Sequence, residues 1–188
     1  VAAMRRTVNS KAVTFSVRVR DRAAAERELS TFSSDLALVF EPIYLADFEV
    51  IKAIPQPVCA VMAADHPLAR RSNLRLRDCL DVPHMVPSEV YGVRYLLDLA
   101  THGRSRRLAP VIEAESFEMM RQYVLYERIV SFQIPIGLPA DPRLVVRPLP
   151  ERDIRCGLLL LGQMRGRALP VASAKFALQL AAAFEALA

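Results

Sequence analysis

The chain contains 188 residues with a mass of 21.0 kDa, and 53% of its residues are hydrophobic. A chain of this length and composition can bury one sizeable core or two small ones, as globular proteins do. Apolar runs such as residues 158–161 are far shorter than the roughly 20 residues that a membrane-spanning helix needs. The sequence therefore predicts a protein without a membrane segment.

The net charge is +5 and the isoelectric point is near 9.4, which raises the question of nucleic-acid binding. The arginines are scattered, with small clusters such as those at residues 70–71 and 104–107, and no helix-turn-helix, RNP or zinc-finger pattern accompanies them. We interpret them as solvated surface side chains and expect no specific DNA binding by this chain.

The start of the sequence, VAAMRR, has a basic pair but no apolar segment after it, so we do not expect a secretory signal. Because it does not begin with Met, we interpret the sequence as a fragment. Its three cysteines, Cys59, Cys79 and Cys156, fit neither a zinc knuckle nor a disulfide framework. Buried free thiols in a reducing cytoplasm, with no metal, are the expectation.

The first third of the chain predicts a helix over residues 1–10 and an alternating strand over 13–19. Asp21 then caps a helix over 22–32, and a strand over 35–40 follows. A strand, a helix and a strand of these lengths predict a right-handed parallel crossover unit.

Two further strands are predicted over residues 48–54 and 58–63, turning back on each other around the Pro55-Gln56-Pro57 bend. The second strand opens a stretch that continues with a basic connector, a brief helix over 76–80 and an apolar strand over 84–87 ending at Ser88.

An alternation of helices and strands then begins again, which predicts a second α/β unit. Its elements are a helix over 89–102, a strand over 110–114, a helix over 117–126 and a strand over 129–132. Later segments are predicted as a strand over 144–149, an apolar run over 156–161 and a final helix from Pro170, whose core stripe is Phe176, Leu180, Phe184 and Leu187.

Four segments together resemble the effector-binding domain of LysR-type transcriptional regulators. The sequence HPLA at 66–69 follows a strand, and a leucine-rich element with Asp78 occupies 74–80. DLALV at 35–39 resembles the Asp-hydrophobic-Ala strand of that family, and LVVRPL at 144–149 resembles its strand ending in Arg-Pro-Leu. The resemblance covers about residues 1–185.

The resemblance implies an α/β protein of two Rossmann-like lobes joined by two crossover strands, a type II periplasmic-binding-protein-like fold. The first lobe would comprise residues 1–84 plus 156–188 and the second lobe 85–155. The crossings would lie at 85–87 and 154–160. The first strand of the family and its N-terminal winged helix-turn-helix would precede Val1.

Catalysis finds no support in the sequence. It contains no Gly-x-Ser-x-Gly elbow, no His-Glu-x-x-His and no glycine-rich phosphate loop. We interpret His66, His84 and His102 as structural or exposed residues, and we expect neither an enzyme nor a cofactor.

Ser88 and Ser116 each end a strand and open a helix, which offers a hydroxyl and unpaired backbone N–H groups. Both fit ordinary helix caps as well as ligand donors. Glu41, before Pro42 at a strand end, either faces a ligand or is solvated, and the sequence leaves both open.

In the LysR-type family, an effector cleft between the lobes is lined by these helix starts and by the loop after the Asp-hydrophobic-Ala strand. Carried over, the resemblance implies an effector site of Ser88, Ser116, Glu41, Pro42, Phe117 and Phe132. The family usually has a Gly-x-Gly turn where this sequence has residues 126–128, which predicts a narrower and more polar wall.

These observations favour a cytoplasmic ligand-sensing module of a bacterial transcription regulator. Its effector would carry a carboxylate held at the serines, or be a zwitterion whose amine lies near Glu41. The resemblance implies a homodimer, a tetramer in the full-length parent, and DNA contact only through the N-terminal winged helix-turn-helix. The alternative is a solute-binding receptor of a transport system with the same architecture.

Overall fold

The computed structural model describes residues 13–103 and 107–185 of the chain. The helix expected over residues 1–10 and Leu187 lie outside the described residues. The helices are α1 (Arg22–Ser30), α2 (Leu76–Leu80), α3 (Gly92–Thr101), α4 (Phe117–Tyr126) and α5 (Val171–Glu185). The strands are β1 (Ala37–Phe40), β2 (Phe48–Gln56), β3 (Cys59–Ala63), β4 (His84–Pro87), β5 (Ile112–Ala114), β6 (Val130–Gln133), β7 (Leu144–Pro148) and β8 (Gly157–Met164).

The described chain divides into two compact units. The first contains residues 13–54 and 158–185, and the second contains Pro55–Gly157. The sequence analysis placed the end of the first segment of this unit at residue 84, thirty residues after its observed end at Ile54. The difference arises because β3 and β4 both pair inside the second unit, so 85–87 is not a crossing. The chain instead leaves the first unit within β2 and returns to it within β8.

The first unit contains a three-stranded sheet of order β1-β8-β2, in which β1 and β8 run antiparallel. Asp21 caps α1 as predicted, since its Oδ1 accepts a hydrogen bond of 2.8 Å from Ala24 N. In α5, Phe184 is buried and Phe176 packs against Phe15 with ring centroids 5.2 Å apart. Of the predicted apolar stripe, Phe184 therefore lies in the core, whereas Phe176 and Leu180 are half-buried.

The strand predicted over residues 13–19 is absent, and with it the parallel crossover unit. This segment forms no ladder in the structure, and β1 pairs antiparallel with β8 instead. Alternating valines favour extended backbone, but a strand also needs a hydrogen-bonded neighbour. Arg18 and Arg20 instead pair with Glu28 at 3.2 and 2.8 Å, which ties the segment to α1.

The second unit contains a five-stranded sheet of order β5-β4-β6-β3-β7. Strands β5, β4 and β6 are parallel, whereas β3 is antiparallel to both β6 and β7. The prediction that β2 and β3 turn back on each other is wrong, because β2 belongs to the three-stranded sheet. The bend at Pro55-Gln56-Pro57 thus sends the chain from one sheet to the other.

Every residue of β3, β4 and β6 is buried, and burial on both faces of the sheet explains why β3 is a continuous apolar run. On one face, α4 packs on the sheet through a buried cluster of Met85, Ala114, Met120, Val124 and Ile129. None of the helices within residues 13–103 and 107–185 has the length and apolar character needed to cross a membrane.

Candidate functional site

The parallel strands of the second unit place their carboxyl ends at one edge of the sheet. In the register of β4 and β5, Pro87 lies opposite Ala114, so Ser88 and Ser116 follow at the same edge. Ser88 N donates a hydrogen bond of 3.0 Å to Ala114 O and extends this pairing by one residue. Open α/β sheets bind ligands at such carboxyl edges.

Ser88 is buried, with 9% of its surface exposed, and its Oγ has no hydrogen-bond partner among the described residues. Ser88 does not cap a helix, which was one of the two roles that the sequence left open for it. Tyr91 N donates to Ser88 O at 3.1 Å, so the chain makes one turn before α3 begins at Gly92, and Tyr91 takes the cap position. A buried hydroxyl without a partner costs about 1–3 kcal/mol, which a suitably placed ligand atom would recover.

Ser116 is the N-cap of α4, as predicted. Its Oγ accepts a hydrogen bond of 3.2 Å from Met119 N, and the residue itself is exposed. A hydroxyl that accepts from the backbone still carries a proton that it can donate. Ser116 therefore combines a structural role with a free donor at the sheet edge.

An aromatic pair connects the starts of α3 and α4. The Tyr91 and Phe117 rings pack edge to face with centroids 5.1 Å apart, and Tyr91 Oη donates to Glu115 O at 2.6 Å. Phe117 also packs against the buried cluster beneath α4. The structure thus brings Phe117 to the same sheet edge as Ser88 and Ser116.

Phe132, which the sequence assigned to the site, is fully buried and packs edge to face against His84 at 6.1 Å. It lies inside β6, a strand in which every residue is buried. Contact with a ligand would require the core to open.

Glu41 and Pro42 belong to the first unit and are joined by a cis peptide bond. Glu41 Oε1 accepts from Leu158 N at 3.0 Å, and Glu41 N donates to Leu158 O at 3.0 Å. The carboxylate therefore continues the pairing of β1 with β8, a structural use that the sequence did not predict.

Arg121 and Gln133 are polar residues of this region that the sequence analysis missed. Gln133 ends β6, is 2% exposed, and donates from Nε2 to Ser131 Oγ at 3.3 Å. Arg121 Nη1 donates to Gln133 Oε1 at 3.2 Å, and Nη2 pairs with Glu118. The Nε of Arg121 is buried without a partner among the described residues. The sequence did offer one signal for these polar residues, because β6 carries Ser131 and Gln133 beside its apolar residues.

The histidines have structural or exposed positions, as expected. His66 is buried and its Nδ1 accepts from Leu68 N at 3.1 Å, while burial lowers its pKa. His84 contacts Val82 O through Nδ1 at 2.8 Å, and His102 is exposed. Across the part of the chain that the structure describes, no three His, Cys, Asp or Glu side chains lie close enough to hold a metal ion.

Solved structures share this fold. The effector-binding domain of QuiR in complex with shikimate has a TM-score of 0.80 at 21% identity, over 97% of this chain and 88% of that chain. The Synechocystis PCC6803 CcmR regulatory domain in complex with 2-PG has a TM-score of 0.82 at 18% identity, over the same two shares. HinK, a LysR-family transcriptional regulator from Pseudomonas aeruginosa, has a TM-score of 0.79 at 19% identity, over 97% of this chain but only 64% of HinK.

The two α/β units, together with these likenesses, define the type II periplasmic-binding-protein-like fold. The sequence model of the LysR substrate binding domain matches residues 9–185. The chain belongs to that family. Among curated proteins, no sequence matches it at a significant level.

Proposed function

We propose that this domain senses a small carboxylate-bearing effector at the carboxyl edge of β5, β4 and β6, for a cytoplasmic DNA-binding transcription regulator. The observation that carries the proposal is the buried Ser88 hydroxyl, which has no partner among the described residues and lies at that edge. DNA binding is assigned to a winged helix-turn-helix outside this sequence, and no catalytic step is assigned to the domain.

The start of α4 supplies the second element of the site. Its first N–H groups and the positive end of its helix dipole favour an anion, and the Ser116 hydroxyl adds a donor. The Tyr91–Phe117 pair offers an apolar surface beside these donors. Small-molecule sites commonly combine such an apolar wall with a few placed polar groups.

The family match favours a regulator over the alternative of a transport receptor. The cysteines support a reducing compartment. Cys59 and Cys79 are buried, and burial raises the pKa of both thiols to about 12, so both remain protonated and unreactive.

We expect Ser88→Ala and Ser116→Ala each to weaken effector binding by roughly tenfold to a hundredfold. Losing one charge-assisted hydrogen bond costs about 1.5–3 kcal/mol, which corresponds to that range of affinity. The effector is first identified by a thermal-shift screen of carboxylic acids, aromatic acids and amino acids, including shikimate and 2-PG. Calorimetry on each variant then measures the affinity.

Two controls separate binding from stability. Ser116→Asn keeps a capping side chain and tests whether an affinity loss in Ser116→Ala comes only from a frayed helix. Ser72→Ala changes an exposed serine of the same unit and should leave the affinity unchanged. Unchanged affinity in both Ser88→Ala and Ser116→Ala would place the site elsewhere.

We further propose that the domain forms a homodimer through α3. The helix buries Val93, Leu96 and Leu97 but leaves Tyr95 at 37% and Leu99 at 51% exposure, one turn apart on the same side. Sedimentation at tens of micromolar, roughly where a micromolar dimer is populated, should show a dimer that Leu99→Glu dissociates. A monomer in the unmodified protein contradicts this assignment.

A further inference from the structure

The guanidinium of Arg121 has more donors than acceptors around it. It contributes five N–H groups, and its contacts in the part of the chain that the structure describes are Gln133 Oε1 at 3.2 Å through Nη1 and Glu118 through Nη2. Its Nε–H is buried and lacks an acceptor within residues 13–103 and 107–185. The side chain is only 15% exposed, so water replaces the missing acceptor poorly.

The buried neighbour of Arg121 does not neutralise it. The amide nitrogen of Gln133 donates to Ser131 Oγ, so Gln133 presents its carbonyl oxygen to Arg121. Gln133 and Ser131 are both almost fully buried. An amide oxygen satisfies one N–H group but supplies no negative charge. The positive charge at the end of β6 therefore depends on a carboxylate from elsewhere.

Glu118 supplies that carboxylate from an exposed position. Its side chain is 63% exposed, and it lies one turn before Arg121 on the same helix. Hydrogen bonds from Gln122 and then from Arg121 lower the pKa of Glu118, so it is ionised at neutral pH. Because the Glu118 carboxylate is itself exposed to water, leaving Arg121 costs it little, and another carboxylate can displace it.

Two other arginines of this chain show the two-bond contact that an arginine such as Arg121 can make with a carboxylate through Nε and Nη2. Arg75 donates from Nε and Nη2 to the two oxygens of Asp153 at 2.7 and 2.5 Å. Arg143 donates from the same two nitrogens to Asp141 at 3.0 and 2.7 Å. Arg121 presents the same pair of nitrogens with only Nη2 engaged.

We propose that Arg121 is the anion-recognition residue of the effector site, and that the ligand carboxylate displaces Glu118 from Nη2 and binds Nη2 and Nε together. This proposal rests on the proposed function and names the charge partner of that site. Planar guanidinium groups match carboxylates in this two-bond geometry, and the pair is stronger than one with a single bond. Glu118 then acts as a built-in competitor that occupies the arginine when no ligand is bound.

The test compares acids with their neutral amides by calorimetry. The probes are benzoate, shikimate, succinate and glutamate, each beside the corresponding amide. The unmodified domain should bind at least one acid about tenfold or more tightly than its amide. Arg121→Gln should weaken the acid by roughly tenfold to a hundredfold and leave the amide unchanged. Arg121→Lys, which keeps the charge but not the fork, should restore only part of the affinity.

Glu118→Gln provides an independent arm with the opposite sign, which does not depend on whether Arg121→Gln folds. Removing the competing carboxylate should tighten acid binding severalfold without affecting the amide. Glu118 also lies on an exposed helix face, so its replacement leaves the core intact.

The outcomes separate this inference from the proposed function. If Ser88→Ala abolishes binding while the acid-to-amide ratio is the same in Arg121→Gln and the unmodified domain, the role of Arg121 is refuted and the site stands. Equal affinity for acids and amides in the unmodified domain would also refute the role of Arg121 and leave the site standing. If no probe binds at millimolar concentration, both proposals fail.

Discussion

Gly162→Ala is expected to lower the free energy of unfolding by about 2–3 kcal/mol, because the site has no room for a methyl group. Gly162 lies in β8, the middle strand of the three-stranded sheet, opposite Ala37 of β1. A Cβ atom there would lie 2.3 Å from Phe48 Cζ and 2.6 Å from Glu49 O. The second contact is to backbone of the neighbouring strand β2, so relief requires the sheet itself to shift.

Gly166→Ala is the matched control for this variant. Gly166 has φ +72° but open space around its Cα, so its replacement tests backbone strain without a clash. We expect a loss of about 1 kcal/mol there. Urea unfolding of both variants measures the difference. A Gly162→Ala protein within about 0.5 kcal/mol of the unmodified protein, the range of neutral surface changes, would contradict the packing described for β8.

Asp153→Asn is expected to destabilise the second unit by about 2–4 kcal/mol, because it leaves a half-buried guanidinium without its counter-charge. Asp153 is 7% exposed and accepts from Arg75 Nε at 2.7 Å, Arg75 Nη2 at 2.5 Å and Leu76 N at 3.0 Å. These bonds hold the start of α2 to the segment that follows β7. Asn offers a single oxygen and no charge in the same volume.

The Asp153 carboxylate should also make the stability of the protein depend on pH. The side-chain hydrogen bond from Arg75 holds the pKa of Asp153 below its usual value of 3.8. A carboxyl whose pKa is depressed by folding contributes stability above pH 3.8, and this contribution is lost as pH falls through the folded-state pKa. The stability difference between the unmodified protein and Asp153→Asn should therefore be constant from pH 5 to 7 and shrink in acid. A difference that does not change on acidification would contradict the assigned ion pair.

The sequence predicted the elements of the second unit well because each depends on local information. Strand β3 is a buried apolar run, and Ser116 is a capping side chain that can be identified directly from the sequence. The pairing of strands was harder to predict, because it depends on residues that are far apart in the sequence. The strand expected over 13–19 failed for this reason, as did the predicted hairpin of β2 and β3.

The candidate site was predicted only in part. Ser116 and Phe117 lie where expected, because a helix cap and the residue after it are local features. The extra turn from Ser88 to Tyr91, which keeps Ser88 out of the cap position, could not be inferred from the spacing of residues. Arg121 and Gln133 meet only because α4 packs over the end of β6, so their pairing could not be inferred from the sequence.

The central claim is that a small molecule binds at the carboxyl edge of β5, β4 and β6. Backbone amide chemical shifts of the ¹⁵N-labelled domain, recorded while the effector from the thermal-shift screen is added, test it most directly. We predict saturable shifts centred on the amides of Ser88, Tyr91, Phe117 and Met119. Shifts centred on other elements, such as α5 and β1, with these four amides unchanged, would contradict the assignment.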